Sequence, residues 1–574
     1  MTRRDTKSTK RYVGIALSKH AKRQCFCFSF SFTGKDAVFN KLNVSKRLRE
    51  KRLFIKKQRL LNVTMSTTNS TRKEIVDNTN NQPMTKPSHY DGDLWNEDLA
   101  PTSKATRTWG WKDYAALWVA MVVCVPTYLL SAGLVSEGMN WYQAVITVLL
   151  GNVIVLVPMM LIGHAGAKYG LPFPVLLRSA FGTKGAKIPA LARGLVACGW
   201  FGINTWVGGS AIYVILNSVS GDAFVGQALS FLGIDITQTL CFFAFWAMHL
   251  VFIKHGTESI RWLETFAAPF LILMGLALLT WAYINAGGFG EMLSTPSQFV
   301  EGGAKEGQFW SAFFAGLTSM VGFWATMALN IPDFTRFAKS QKDQMLGQAI
   351  GLPLPMALFA FIGVAVTSAT VTIYGEAIWD PIALAGRMGG MGVVFALAAL
   401  ALATLTTNLA ANMVAPAYGF SNMAPSKISF RMGGYITAGI GVAIFPWKLL
   451  ETAGGYLFTW LTGYSALLGP IAGILIADYF ILRKSTLNID ALFQHSGEYG
   501  ANNGWNMAGV AALVIGILPN IPGFMHAAGF VDSVPAIFDT LYAYAWFVGL
   551  IIASVVYLLL SNRVPDTIQA RSAS

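Results

Sequence analysis

The chain has 574 residues, 54% of them hydrophobic and 13% charged, with a mean hydropathy of +0.48. An average soluble protein is roughly 25% charged, so this composition excludes a water-solvated globule, a disordered chain and a collagen-like repeat. The formal net charge of +14 does not mark a nucleic-acid binder, because residues 1–64 hold 18 Lys and Arg against 3 Asp and Glu, and the remaining body holds 25 against 26.

The basic tail, residues 1–64, contains RLREKRLFIKKQRLL and the apolar run CFCFSFSF, well short of the roughly 20 apolar residues that a bilayer span needs. It lacks the small-residue cleavage site of a secretory signal. Three readings stay open: an organellar transit peptide, a lipid-binding basic arm, or sequence upstream of a true start at Met65. No function is assigned to it. Residues 65–112 follow as a polar cytoplasmic segment. Cys25, Cys27, Cys124, Cys198 and Cys241 have neither the spacing of a disulfide framework nor that of a zinc site.

From Asp113 onward, apolar runs of spanning length recur between short polar or Gly/Pro-rich stretches. They predict an all-α integral membrane protein of twelve transmembrane helices, at 113–135, 141–163, 188–216, 236–253, 260–286, 309–331, 347–374, 388–416, 433–450, 454–481, 505–523 and 537–560. With a cytoplasmic amino terminus, the inside loops carry most of the basic residues, among them Lys168, Arg178, Lys184, Lys254, Arg336, Lys427 and Arg483. The outside loops carry little beyond Lys305, Arg387 and Lys448. That asymmetry predicts both termini inside, a tail at 561–574, and a multi-pass protein of the plasma (inner) membrane.

Two spans are interrupted. The first has Pro126 in its middle, and the sixth has Gly322 at mid-span with Pro332 near its end. Broken helices at corresponding positions of two halves are the sequence pointer to an inverted-repeat transporter, in which unwound backbone near the midplane binds ion and substrate. The competing account is a kink in a packed helix.

The spans hold few charges, which argues against a relay of buried carboxylates or a charged cargo. They hold uncharged polar groups beside aromatic rings instead. In GWFGINTW, Trp200 and Asn204 stand four apart on one helix face. The ring offers a stacking surface, and the amide offers donors and an acceptor that match the N–H and C=O edge of a pyrimidine, purine or ureide. The eighth span carries Thr406, Thr407, Asn408 and Asn412 among small apolar residues. Thr hydroxyls beside free carbonyls are oxygen ligands of the kind Na⁺ accepts, although such residues also serve as helix-packing contacts. Trp324 in GFWAT stands where it can close on a planar ligand opposite Trp200.

The chain resembles the nucleobase:cation symporter family of cytosine, purine, uracil, thiamine and allantoin permeases from about Asn96 to Arg563. The resemblance is carried by NEDLAPTSKATRTW, GHAGAKYGLPFPVLLRSAFGTKGAKIPALARG, GWFGINTW, FWATMALNIPDFTRFAKSQKDQ, TTNLAANMVAPAY and LLGPIAGILIADYFILRK. It implies a leucine-transporter-type five-plus-five inverted repeat, 113–286 and 309–481, plus two extra helices within 505–560. It further implies that Trp200 and Trp324 stack the substrate and that Asn204 and Asn412 bind it. Asn204 replaces a Gln of the related hydantoin transporter, and Cys124 replaces a Gln beside the first-helix ligands. A sodium site is implied at the carbonyls of Ala120, Val123 and Ala403 and the hydroxyls of Thr406 and Thr407, although relatives couple to H⁺ as well.

The expected function is import of a neutral nucleobase (uracil, purine or cytosine), with Na⁺ or H⁺ as coupling ion and no other cofactor. An allantoin or hydantoin permease is the alternative. The expected partners are that small molecule and the lipid bilayer, with no nucleic acid, and the expected working unit is a monomer. A non-transporting nucleobase sensor is the competing class. An enzyme is disfavoured because the spans show no Ser/His/Asp set, no His cluster and no paired carboxylates; His164, His249 and His255 stand singly at span ends.

Overall fold

The computed structural model describes residues 86–229, 233–255, 257–388, 391–452 and 455–561, and the described elements are helical apart from one isolated bridge between Trp109 and Ala338. The basic tail 1–64 and residues 562–574 lie outside the described residues.

The first span breaks where Pro126 requires it. Two helices, Trp111–Val122 and Val125–Ser136, meet at 57°. In a continuous helix the N–H of residue 126 would close on Val122 O, and proline has none. Val122 O accepts from Cys124 N instead, at 2.9 Å. This diverts the N–H that would have closed on Ala120 O, and Val123 is left outside both helices at φ −79, ψ 77.

The sixth span corrects the sequence expectation. Phe309–Asn330 is one uninterrupted α-helix through Gly322, and the chain turns only at the short helix Pro332–Thr335. A Cβ at Gly322 would lie 2.0 Å from Ser465 Oγ and 2.8 Å from Leu461 O. The missing side chain therefore lets the sixth helix seat against the tenth and does not unwind it. The irregular backbone lies in the eighth span, where Met391–Thr407 passes into a π-turn, Asn408–Met413, before Val414–Met423. Such turns recur at functional positions.

Helices occupy all twelve expected ranges. Among the described residues, however, eight are long and apolar enough to span a membrane, or ten when each bent pair counts as one, so the count of twelve is not reached. Phe430–Ala443 has only 14 residues and continues as a short 3₁₀ turn, Pro446–Leu450. Thr257–Asn285 has Glu258, Arg261 and Glu264 in its first part, and its apolar stretch is confined to Ile272–Asn285.

Large apolar side chains face outward in mid-helix, with Val157 57%, Leu273 64% and Ile551 59% exposed. Water would penalise such surfaces and lipid does not. The largest buried cluster includes Trp118, Trp200 (from helix Lys187–Ser220), Trp324 and Tyr456. The segment before the first span is strapped to the inter-helix loops by buried arginines. Arg178 donates to Leu94 O at 2.8 Å and to Leu492 O at 2.9 Å, and Arg336 donates to Thr102 Oγ1, Asp98 O and Ala100 O.

Candidate substrate slot

The break in the first span, the third helix, the sixth helix and the π-turn of the eighth converge on one narrow pocket. It is lined by Met121, Cys124, Pro126, Trp200, Asn204, Phe323, Trp324, Thr326, Met327, Thr407, Ala411 and Asn412. All five residues expected to meet substrate are in this lining. Trp200 and Trp324 do not stack on each other. Phe323 stands edge-on to both, with ring centroids 5.3 and 4.8 Å away. Trp118 backs Trp324 at 5.1 Å, and Tyr456, Trp460 and Tyr464 surround Trp200 at 6.2–6.4 Å.

The slot keeps polar groups unsatisfied. Asn204 donates its amide to Trp200 O at 3.1 Å, as the four-residue spacing allows, while its Oδ1 is buried with no partner. Trp324 Nε1 and Thr407 Oγ1 are likewise unpaired. A buried donor or acceptor left unpaired costs roughly 1–3 kcal/mol. Several around one cavity mark a site that a flat, hydrogen-bonding solute would complete. Cys124 contacts Thr127 Oγ1 at 3.3 Å and lines the slot through its small, apolar side chain.

The two eighth-span amides have different roles. Asn412 lines the slot, and Asn408 lies behind it, accepting from Asn412 Nδ2 at 3.0 Å. Asn408 Nδ2 in turn reaches Phe201 O and His249 Nε2, each at 3.0 Å. His249 is fully buried in helix Ile236–His255, which corrects its reading as an isolated residue at a span end. A lone ionisable residue in an apolar span was the available signal. Phe323, Thr326, Met121 and Met327 had no such signal, since apolar or small residues are the default in these helices.

Part of the expected sodium site, Val123, Ala403 and Thr406, comes together. Val123 and Ala403 pack in one small buried cluster, bringing the first-span break against the eighth helix. Thr406 Oγ1 donates to Ala403 O at 2.8 Å, which leaves its lone pairs available, and Thr407 Oγ1 is buried and unpaired. Neutral oxygens at an unwound carbonyl suit Na⁺, which needs no carboxylate. A larger pocket lies on the other side of Cys124, among Val123, Trp281, Phe359, Leu400 and Ala403. Its lining is almost wholly apolar, so the chemistry of recognition falls to the smaller slot.

A bent first helix and a slot enclosed by helices of membrane-spanning length are the architecture of a membrane transporter. The chain belongs to the family described as permeases for cytosine/purines, uracil, thiamine and allantoin, whose model matches residues 101–549. It is 46% identical over 480 residues to a purine-uracil permease of Arabidopsis thaliana, covering 83% of this chain and 79% of that protein. It is 40% identical over 475 residues to an allantoin permease of Bacillus subtilis, covering 82% and 94%. The nucleobase-cation symporter Mhp1, solved closed with bromovinylhydantoin bound, superposes with a TM-score of 0.65 at 25% identity, covering 81% of this chain and 95% of that one.

Proposed function

We propose that this permease imports a neutral nucleobase, uracil or a purine, by alternating access with a coupling cation. The observation that carries the reading is the slot itself, where two Trp rings and two Asn amides meet with polar atoms left unpaired. Trp200 and Trp324 supply the faces that hold a planar ring, and Asn204 and Asn412 read its edge, while Cys124 keeps the first-helix wall small and apolar. The carbonyls of Ala120, Val123 and Ala403 and the hydroxyls of Thr406 and Thr407 would hold Na⁺. Bound there, the ion would tie the broken first helix to the eighth and favour the substrate-loaded, outward-facing state.

In this reading the moving parts are the repeats 113–286 and 309–481, with 505–560 peripheral. The working unit is a monomer in the plasma membrane with both termini cytoplasmic. The 46% identity to a purine-uracil permease supports the uracil and purine assignment, and the 40% identity to an allantoin permease keeps allantoin or hydantoin as the second reading.

Uptake of radiolabelled uracil into vesicles, competed by cytosine, adenine, hypoxanthine, allantoin and hydantoin, tests the substrate. Saturable uptake blocked best by nucleobases is expected. Blockade by allantoin or hydantoin alone would transfer the assignment to ureides, and binding without flux would make the protein a sensor.

A further inference from the structure

The hydrogen-bond chain behind the slot has a direction that can be worked out atom by atom. Amide orientations and histidine tautomers follow from such networks, and here two backbone carbonyls, which only accept, fix both ends. His249 Nδ1 lies 2.9 Å from Phe245 O, so Nδ1 carries the proton. Asn408 Nδ2 lies 3.0 Å from Phe201 O, so that atom is the amide nitrogen. Its second hydrogen points to His249 Nε2 at 3.0 Å, which must therefore be the bare, accepting nitrogen of a neutral ring. Thr205 Oγ1 is a more distant neighbour of Asn408 at 3.5 Å and donates its own proton to Phe201 O.

With both hydrogens committed, Asn408 can only accept through Oδ1, and Asn412 Nδ2 donates to it at 3.0 Å. Asn412 Oδ1 is then the atom left for the slot. Across the slot, Asn204 spends its amide on Trp200 O and leaves its own Oδ1 unpaired. Both asparagines thus offer a carbonyl oxygen.

We propose that His249 is a positioning residue that, through Asn408, sets the polarity of Asn412, so that the slot selects rings presenting N–H donors on two edges. This rests on the nucleobase reading above and narrows it to cyclic ureides and lactams such as uracil. Without an acceptor at the His249 Nε2 position, one Asn408 hydrogen loses its partner, and the bond to Phe201 O alone holds the amide nitrogen turned away from Asn412. The Asn412 amide can then flip and meet a substrate N–H with its own donor.

The test uses the full-length protein in vesicles, with uracil as substrate, 1-methyluracil and 3-methyluracil as competitors, and rates normalised to protein in the membrane. Wild type should be inhibited by neither methyl compound at concentrations where unlabelled uracil competes. His249→Gln can place Oε1 close to where Nε2 stood, whereas His249→Asn cannot reach and His249→Leu has no acceptor. KM for uracil should stay within about twofold in H249Q and rise about tenfold in H249N and H249L, the worth of one neutral hydrogen bond. The maximal rate should hold, and discrimination against the methyl compounds should relax.

A wild-type KM in both H249N and H249L, or an H249Q no better than H249N, would overturn the proposal. Should no compound of the panel bind wild type, the substrate reading fails by itself. The His249 assignment is still decided by ¹⁵N magnetic resonance of histidine-labelled protein. The signal lost in H249Q should show a protonated Nδ1 and a bare Nε2; a protonated Nε2 would refute it.

Discussion

Arg193 on the third helix grips Asn330 on the sixth with two nitrogens, Nη2 at 2.6 Å and Nε at 3.1 Å from Asn330 Oδ1, and its Nε also reaches Thr326 O at 2.9 Å. Thr326 lines the slot, so a buried charge joins two slot-forming helices one turn beyond the substrate position. Asn330→Ala leaves the guanidinium with one acceptor of two. Hydrogen bonds to charged groups are worth about 1.5–3 kcal/mol, and a clear fall in thermal unfolding temperature is expected. Asn330→Asp keeps the acceptor and should fall less. Equal melting of the two variants would show that Arg193 does not depend on this partner.

Trp200 is tested by size and by stacking. Trp200→Phe keeps a ring face and should raise KM by up to about tenfold, in line with aromatic pairs worth roughly 0.5–1.5 kcal/mol. Trp200→Ala and Asn412→Ala should abolish saturable uptake while the protein still reaches the membrane. Unchanged kinetics in both alanine variants would remove these residues from the substrate site.

Thr407 separates sodium from proton coupling. Its hydroxyl is buried and unpaired, so Thr407→Ala should fold normally yet lose most Na⁺ stimulation of uptake at fixed pH, whereas Thr407→Ser should retain it. If wild type and both variants respond to a pH gradient and ignore Na⁺, the Thr407 hydroxyl does not serve the coupling ion.

Gly322 makes a packing prediction. Since an added Cβ would meet Ser465 Oγ at 2.0 Å and Leu461 O at 2.8 Å, Gly322→Ala should destabilise by about 1–3 kcal/mol. Adding Ser465→Ala should recover only part, because the Leu461 carbonyl belongs to the backbone. Unchanged thermal unfolding of G322A would show that the sixth helix does not depend on this close approach to Leu461 and Ser465.

Much of the slot was legible because its signals are local. Trp200 and Asn204 share a face by spacing alone, and the structure bonds the Asn204 amide to Trp200 O. Pro126 removes one N–H, and the helix breaks beside it. Gly322 was misjudged because a missing Cβ has two opposite uses, freedom for its own backbone or room for a neighbour's. Which one applies depends on Leu461 and Ser465, far along the chain. His249 reads as an isolated residue for a related reason, since its acceptor Phe245 O is four residues away but its partner Asn408 lies 159 positions on.

By itself the sequence determined that the chain lies in lipid, where its helices run, that the first of them breaks, and which uncharged residues could recognise a flat ring. Those properties follow from hydropathy, proline and helical periodicity, which act within a few residues. Only the tertiary structure decided that the sixth helix stays whole and that Asn408 and His249 stand behind Asn412, which the family resemblance already places in the slot. A hydrogen bond across 159 or 207 positions exists only once packing has brought its two ends within 3.0 Å.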